Sequence, residues 1–450
     1  MYVKSVTIDS VKSFDRVEFD FERPDKTFAG WTVFVGGNSS GKSTILRSIA
    51  LALLGPSEGR QLMGTTSGWI KEGKSKALVT VQLNWDDQYD TFKEKGGPKP
   101  KGASFTASVR WTKEKKTDSF VTFQSLDQSK NKDVRMTAPD RTVWNPNSKG
   151  WFSAGYGPMR RLTGSSSESI RFSVGRGAVS RFVTLFREDA ALSESEEWLR
   201  KMYARTLEYA RTGESVDAAR GGYLKSVQEL MGEELLPQGM KISRITVDQV
   251  WVKDQRGVEL PMRDISDGCR SLYATVLDLI HSFIEVYGED DLFAKDSEGR
   301  TIVDRPGVVI IDEVEAHLHP AWQLAIPQWL KTHFPKVQFL VSTHSPLVAQ
   351  SADPNGVFVL PLQNDVRSKP HPMPPHEYER LVLGKAEKTL LGTAFGLQTT
   401  RTLQAQQRIA RWHVLDAKKQ AVALSAGERK EYTELKQDME IAFQDEGVTL

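Results

Sequence analysis

The stretch Gly36-Gly37-Asn38-Ser39-Ser40-Gly41-Lys42-Ser43-Thr44 decides how the rest of the chain reads. It follows Trp31-Thr32-Val33-Phe34-Val35, which has the composition of a buried strand. It precedes the apolar run from Ile45 to Leu54, which predicts a helix. Strand, glycine-rich turn and helix form the context in which Gly36, Gly41, Lys42 and Ser43 make a phosphate cradle. Glycines let backbone N–H groups approach a polyphosphate, and the helix N-terminus adds positive potential. Lys42 then reaches the β- and γ-phosphates, and the Ser43 hydroxyl is placed to hold Mg²⁺. With Asn38, Ser39 and Thr44 completing the loop, the expected ligand is a nucleoside triphosphate with Mg²⁺.

Outward from this loop, the 450 residues allow two or three domains or one large α/β unit with insertions. A hydrophobic fraction of 39% and a charged fraction of 26% are ordinary for a globular protein and exclude a disordered or fibrous class. A formal net charge of +2 neither demands nor excludes nucleic acid, so any such contact has to come from local patches. One cysteine, Cys269, rules out an intrachain disulfide and a thiolate metal cluster, and fits a reducing, cytoplasmic setting. The first twenty residues alternate like a strand pair and lack an apolar signal core. No apolar run is long enough to span a bilayer, so no membrane partner is expected.

Residues 2–35 read as strands that deliver the chain to the loop. Strand-like runs return over 76–124, and residues 93–116 carry eight Lys/Arg against two Glu. A solvated loop rich in Gly and Pro is the first reading of that segment, and a DNA-facing hairpin the alternative. A β-rich insertion is thus expected over about 76–160. Residues 160–187 hold six arginines and one glutamate, and no single arginine stands out by spacing. Helical patterning over about 190–240, with an apolar stripe through Trp198, Leu199, Met202, Leu207 and Tyr209, predicts a packed helical lid. Strands resume over 241–265 around Gln255-Arg256-Gly257, and a helix is expected from Ser271 to Val286. The domain built around the phosphate loop is therefore drawn over 1–360 and a helical C-terminal region over 361–450, with a capping box at Ser425 and Glu428.

Two further stretches carry chemistry. Val308-Val309-Ile310-Ile311 reads as a strand covered on both faces and ends in Asp312-Glu313. Beside a phosphate loop, a strand-end Asp312 is a Mg²⁺ ligand, and Glu313 is positioned to polarise an attacking water. Val341-Ser342-Thr343-His344 is again strand then turn. Ligands of open α/β sheets sit at such strand ends, so His344 is expected to sense the γ-phosphate. The pair His317 and His319 lacks a third ligand in view and reads as packing or interface rather than a metal site.

The order of phosphate loop, Ile265-Ser266-Asp267-Gly268-Cys269-Arg270, Asp-Glu strand and Ser-Thr-His resembles the ATP-binding-cassette ATPases of the SMC/RecF/OLD group. Ser266-Asp267-Gly268 stands where that group has Leu-Ser-Gly-Gly-Gln, with Asp267 replacing the first glycine of the pair and Cys269 the glutamine. The resemblance implies that Ser266 and Gly268 touch the γ-phosphate of ATP bound to another protomer, hence a homodimer or higher oligomer closed through nucleotide sites. Asp312 to Pro320, DEVEAHLHP, resembles the corresponding segment of OLD-like defence ATPases. Gly155-Tyr156-Gly157-Pro158-Met159-Arg160 is similar to an element of the ATPase subunit of Septu-type anti-phage systems, found also with some retrons.

The implied fold is α/β: an ABC-type P-loop ATPase with a β-rich insertion, a helical lid and a helical C-terminal extension. The implied function is an ATP-hydrolysing subunit that regulates a separate nuclease, of HNH type in Septu. Two other readings stand beside it: a RecF-like clamp that grips DNA through the basic segments, and a sensor ATPase paired with a TOPRIM-type effector. Residues 376–450 show no TOPRIM pattern of strands and acids. The chain also has no heptad arm of the SMC kind.

Overall fold

The computed structural model describes the chain except residues 93–99, 101, 114–120, 126–136, 146–147, 149, 162–176, 213–217, 233–238, 289–291, 362–368 and 444–450. Much of the basic segment 93–116 and of the arginine-rich run 160–187 therefore lies outside the described residues. The remainder divides into two compact units, Met1–Thr389 and Leu390–Leu450, so the first unit runs past residue 360. It takes in the short strand His371–Pro372 and the helix Pro375–Leu383.

Two sheets organise the first unit. The central sheet runs in the order His371–Pro372, Val357–Val359, Gly30–Val35, Val337–Thr343, Gly307–Ile311, Ser153–Tyr156, and all pairs but the first are parallel. Its inner strands are mostly apolar and buried almost throughout, as a sheet covered on both faces requires. The second sheet is antiparallel, in the order Arg16–Asp20, Tyr2–Asp9, Lys76–Asn84, Ser104–Lys113, Val121–Ser125. The strands expected as an insertion over 76–160 thus join the N-terminal pair in one sheet. Ser153–Tyr156 leaves that group and forms the edge of the central sheet.

Between the sheets, Phe19, Phe21, Phe34 and Phe358 pack with ring centroids 5.3–6.2 Å apart, mostly edge to face. A polar clasp joins the same two layers. The side chain of fully buried Gln338 donates to the Val3 carbonyl and accepts from the Val3 amide, both at 2.8 Å. Val3 adjoins a register shift in its own strand, so Gln338 supplies two hydrogen bonds where the ladder is interrupted.

The helix after the phosphate loop, Lys42–Met63, continues past the expected end at Leu54 but kinks at Gly55, whose φ is +77°. Pro56 has no N–H for the Ala52 carbonyl four residues back. The Trp144 indole N–H donates to that carbonyl instead, at 2.8 Å. A Cβ at Gly55 would lie 2.6 Å from the Trp144 ring, which leaves glycine as the residue that fits. The second long buried helix spans Asp267–Tyr287 and begins four residues ahead of expectation, because Asp267 enters its first turn behind the Ser266 N-cap. The helical region resolves into Ser193–Thr212 and Ala218–Gly232.

In the second unit, the helices Leu403–Ala421 and Ala426–Phe443 pack through Trp412, Leu415, Leu435 and Met439. Arg411 makes a bidentate pair with Glu431, at 2.8 and 2.7 Å. The capping box is present: Glu428 N–H donates to Ser425 Oγ at 3.3 Å, and Ser425 N–H to Glu428 Oε2 at 2.9 Å.

Candidate functional site

Parallel pairing brings four strand ends to one edge of the central sheet. Val35 opens into the phosphate loop, Thr343 into His344, Ile311 into Asp312, and Tyr156 into Gly157-Pro158. The register sets Ile311 beside Val341 and Tyr156, and Thr343 beside Val35, so residues distant in sequence meet at the C-terminal strand edge.

Gly36 leaves the strand and Gly41, with φ +101°, caps the helix. A side chain at Gly41 would strike the Phe14 ring, which packs directly on the loop. Asn38 and Ser39 are exposed, and Ser39 is left-handed with φ +61°. Lys42 is 5% exposed and its ammonium donates to the carbonyls of Gly36 (2.8 Å) and Gly37 (3.0 Å), drawn back across the loop it lines. Burial pushes its pKa down to about 8, against the pull of Asp312, Glu313 and Glu315. Ser43 and Thr44 are half-buried in the first helical turn, where the Thr44 carbonyl accepts from Ser48 Oγ.

Asp312 is buried and accepts from Ser342 Oγ at 2.5 Å, while the Glu313 N–H donates to the same hydroxyl at 2.8 Å. Glu313 sits in the left-handed region, φ +47°, where a side chain is strained unless its surroundings hold it. Burial raises the pKa of its carboxyl, and Asp312 and Glu315 raise it further. Glu315 accepts from the His344 N–H at 2.5 Å and from Thr343 Oγ1 at 2.7 Å, so one carboxylate ties the acidic turn to the His344 turn. Burial first and Lys42 second hold the His344 imidazole below its ordinary pKa, so it is neutral at physiological pH.

The donor set fits a magnesium triphosphate. Ser40 Oγ is buried without a hydrogen-bond partner among the described residues, and a Cβ on Gly36 would come 2.9 Å from it. Small, orphaned and glycine-flanked, this pocket of backbone and hydroxyl groups suits phosphate oxygens, and Ser43 and Asp312 are the oxygen donors that suit a hard cation.

Sequence reasoning left three residues without a role here: Arg160, Glu315 and Ser342. The first is the most consequential. Arg160 is 5% exposed and donates from Nη1 to the Gly157 and Asp312 carbonyls (2.8 and 3.1 Å) and from Nη2 to those of Glu313 and Val314 (3.2 Å each). Desolvation lowers its pKa to about 10, which leaves it charged at neutral pH. Sequence spacing carries no sign of this, because three of the four partners are backbone carbonyls over 150 positions away.

The remaining expected residues lie elsewhere. Ser266 is exposed at the start of helix Asp267–Tyr287, and its hydroxyl donates to Cys269 Sγ at 3.1 Å. A Cβ on Gly268 would collide with the His317 carbonyl, so that glycine is already required within one chain. His317 is left-handed, φ +65°, and His319 caps helix Pro320–His333 by accepting from the Ala321 N–H through Nδ1 at 3.2 Å.

Two family models match the chain. One, described as "AAA domain, putative AbiEii toxin, Type IV TA system", covers residues 156–349, and one described as "AAA domain" covers 5–143. Among similar proteins, "Septu protein PtuA" of Bacillus mycoides (strain KBAB4) is 23% identical over 369 residues, which is 81% of this chain and 41% of that protein. "Retron Vc95 probable ATPase" of Vibrio cholerae serotype O1 biovar El Tor is 36% identical over 110 residues, 24% of this chain and 19% of that protein. The chain thus spans less than half the length of either relative. Among solved structures, the Smc head domain with an extended coiled coil, bound to the C-terminal domain of ScpA and derived from Pyrococcus furiosus, is 15% identical at a TM-score of 0.45. That match covers 85% of this chain and 98% of that one. No helix among the described residues is long and apolar enough to cross a membrane. By motif order and these sequence matches, the chain is similar to ATPases of the SMC/RecF-like, ATP-binding-cassette type, Septu and retron ATPases among them.

Proposed function

We propose that the chain is the ATP-hydrolysing subunit of a prokaryotic anti-phage defence complex that regulates a separate nuclease effector, of HNH type. The observation that carries the ATPase half is the meeting of Lys42, Asp312, Glu313 and His344 at one edge of the parallel sheet. Similarity to Septu and retron ATPases supports the defence half.

In this reading the loop amides and Lys42 bind the phosphates, and Ser43 and Asp312 hold Mg²⁺, which supplies charge neutralisation. Glu313 is the base that accepts a proton from the attacking water; its raised pKa brings it nearer to neutrality than an ordinary carboxylate. His344, fixed through its own amide by Glu315, donates a hydrogen bond toward the γ-phosphate. Exposed Ser266, with Gly268 behind it, closes the nucleotide site of a second protomer.

Glu313→Gln keeps the shape and removes the base. It is expected to bind ATP with affinity within a few-fold of the parent while turnover falls by at least ~100-fold. Undiminished hydrolysis would remove Glu313 from the role of base. Co-purification with an HNH nuclease encoded beside it supports the defence reading. A TOPRIM partner, or salt-sensitive DNA binding by the isolated chain, favours the sensor or clamp reading instead.

A further inference from the structure

We infer that Arg160 is a positioning residue that braces the catalytic turn Asp312–Val314 from behind rather than meeting the nucleotide. An arginine beside a triphosphate site is ordinarily a candidate for contact with phosphate, yet here every terminal N–H has a protein acceptor. Two go to the carbonyls of Gly157 and Asp312 and two to those of Glu313 and Val314. A guanidinium has four such terminal hydrogens, so its two terminal nitrogens are fully engaged.

The acceptors explain why a cation is needed. Carbonyls of three successive residues converge on one point, with Glu313 held in the left-handed region between its neighbours. Such a turn gathers negative dipole ends in a buried place and is unfavourable without a positive group among them. The planar fork of arginine matches acceptors spread over several residues, whereas a lysine ammonium is a single compact point. The amide side of the turn is fixed separately: the Asp312 N–H donates to the Tyr156 carbonyl at 2.8 Å and the Glu313 N–H to Ser342 Oγ. Arg160 thus sets the direction in which the Asp312 and Glu313 side chains leave the turn. It is delivered there by Gly157-Pro158-Met159, directly after the edge strand that pairs with Gly307–Ile311. Gly157 can itself be only glycine, since a Cβ would strike the Thr184 carbonyl.

The kinetic consequence rests on the ATPase reading above; the structural one does not, and one experiment separates them. Hydrogen exchange of the nucleotide-free full chain is compared for the parent and Arg160→Lys, with Arg160→Gln as a second variant. In both, protection of peptides spanning 312–318 is expected to fall by about tenfold or more while the phosphate-loop helix is unchanged. Steady-state hydrolysis on the same Arg160→Lys preparation should show kcat lowered ~10- to 100-fold with KM for ATP within about twofold. Arg160→Lys should recover part of the kcat lost in Arg160→Gln. Unaltered exchange over 312–318 overturns the brace, as does a defect confined to KM, which marks a phosphate contact. A parent chain that fails to hydrolyse ATP removes the reading above, and the exchange comparison still decides the role of Arg160.

Discussion

Lys42 carries a charge whose state depends on what fills the loop. In the free chain its pKa sits near 8 because burial disfavours the ammonium. A bound triphosphate favours the charged form, so binding above pH 8 must take up a proton. ATP affinity is therefore expected to be flat between pH 6 and 7 and to weaken by about tenfold from pH 7 to 9. Titration calorimetry in buffers of different ionisation enthalpy at pH 8.5 should register the proton taken up; a heat independent of buffer would refute it. At this scale the sequence was informative where candidate residues lie in consecutive positions. Gly41, Lys42, Ser43, Asp312, Glu313 and His344 were all singled out from short local patterns, and the sheet register sets their strand ends along one edge. Arg160 and Glu315 act on backbone or on groups from another strand, and such partners leave no mark in local spacing.

Helix Asp267–Tyr287 shows how one element links the exposed Ser266 corner to the rest of the site. Its half-buried Asp278 accepts from Tyr156 Oη at 2.8 Å and from Ser195 Oγ at 3.3 Å, joining it to the edge strand and to helix Ser193–Thr212. Burial raises the Asp278 pKa to about 6, only partly countered by those two donors. Because the folded-state pKa lies above the unfolded one, the stability linked to this proton is full below about pH 4 and is lost as pH rises through 6. Asp278→Asn retains an acceptor for Tyr156 and never ionises. Its melting temperature should exceed that of the parent at pH 8, by the equivalent of roughly 3 kcal/mol at most, and by much less at pH 5. Equal gains at both pH values would sink the assignment. The apolar periodicity announced the helix itself, but the start at Asp267 was missed, because a polar first turn without a side-chain cap looks like loop.

For the molecule as a whole, the expected α/β ATPase architecture was legible from the order of motifs, whereas the partition into sheets was not. Tyr156 pairs with Ile311 and Tyr2–Asp9 with Lys76–Asn84, and register between such distant segments is set by packing that no local window contains. Assembly can be tested at this scale. The Glu313→Gln chain with ATP and Mg²⁺ is expected to form dimers by light scattering. Adding Ser266→Arg, at an exposed position, should return it to monomers without lowering the melting temperature of the free chain. Dimers that survive Ser266→Arg would place the contact elsewhere.

The Gln338 clasp on Val3 has a consequence for biosynthesis. The two bonded residues are 335 positions apart. At ribosomal speeds of roughly 5–20 residues per second, the opening strand waits some tens of seconds before its missing amide and carbonyl partners emerge. Until then the nascent sheet carries an unfinished seam, which is the point where a holdase would be expected to grip.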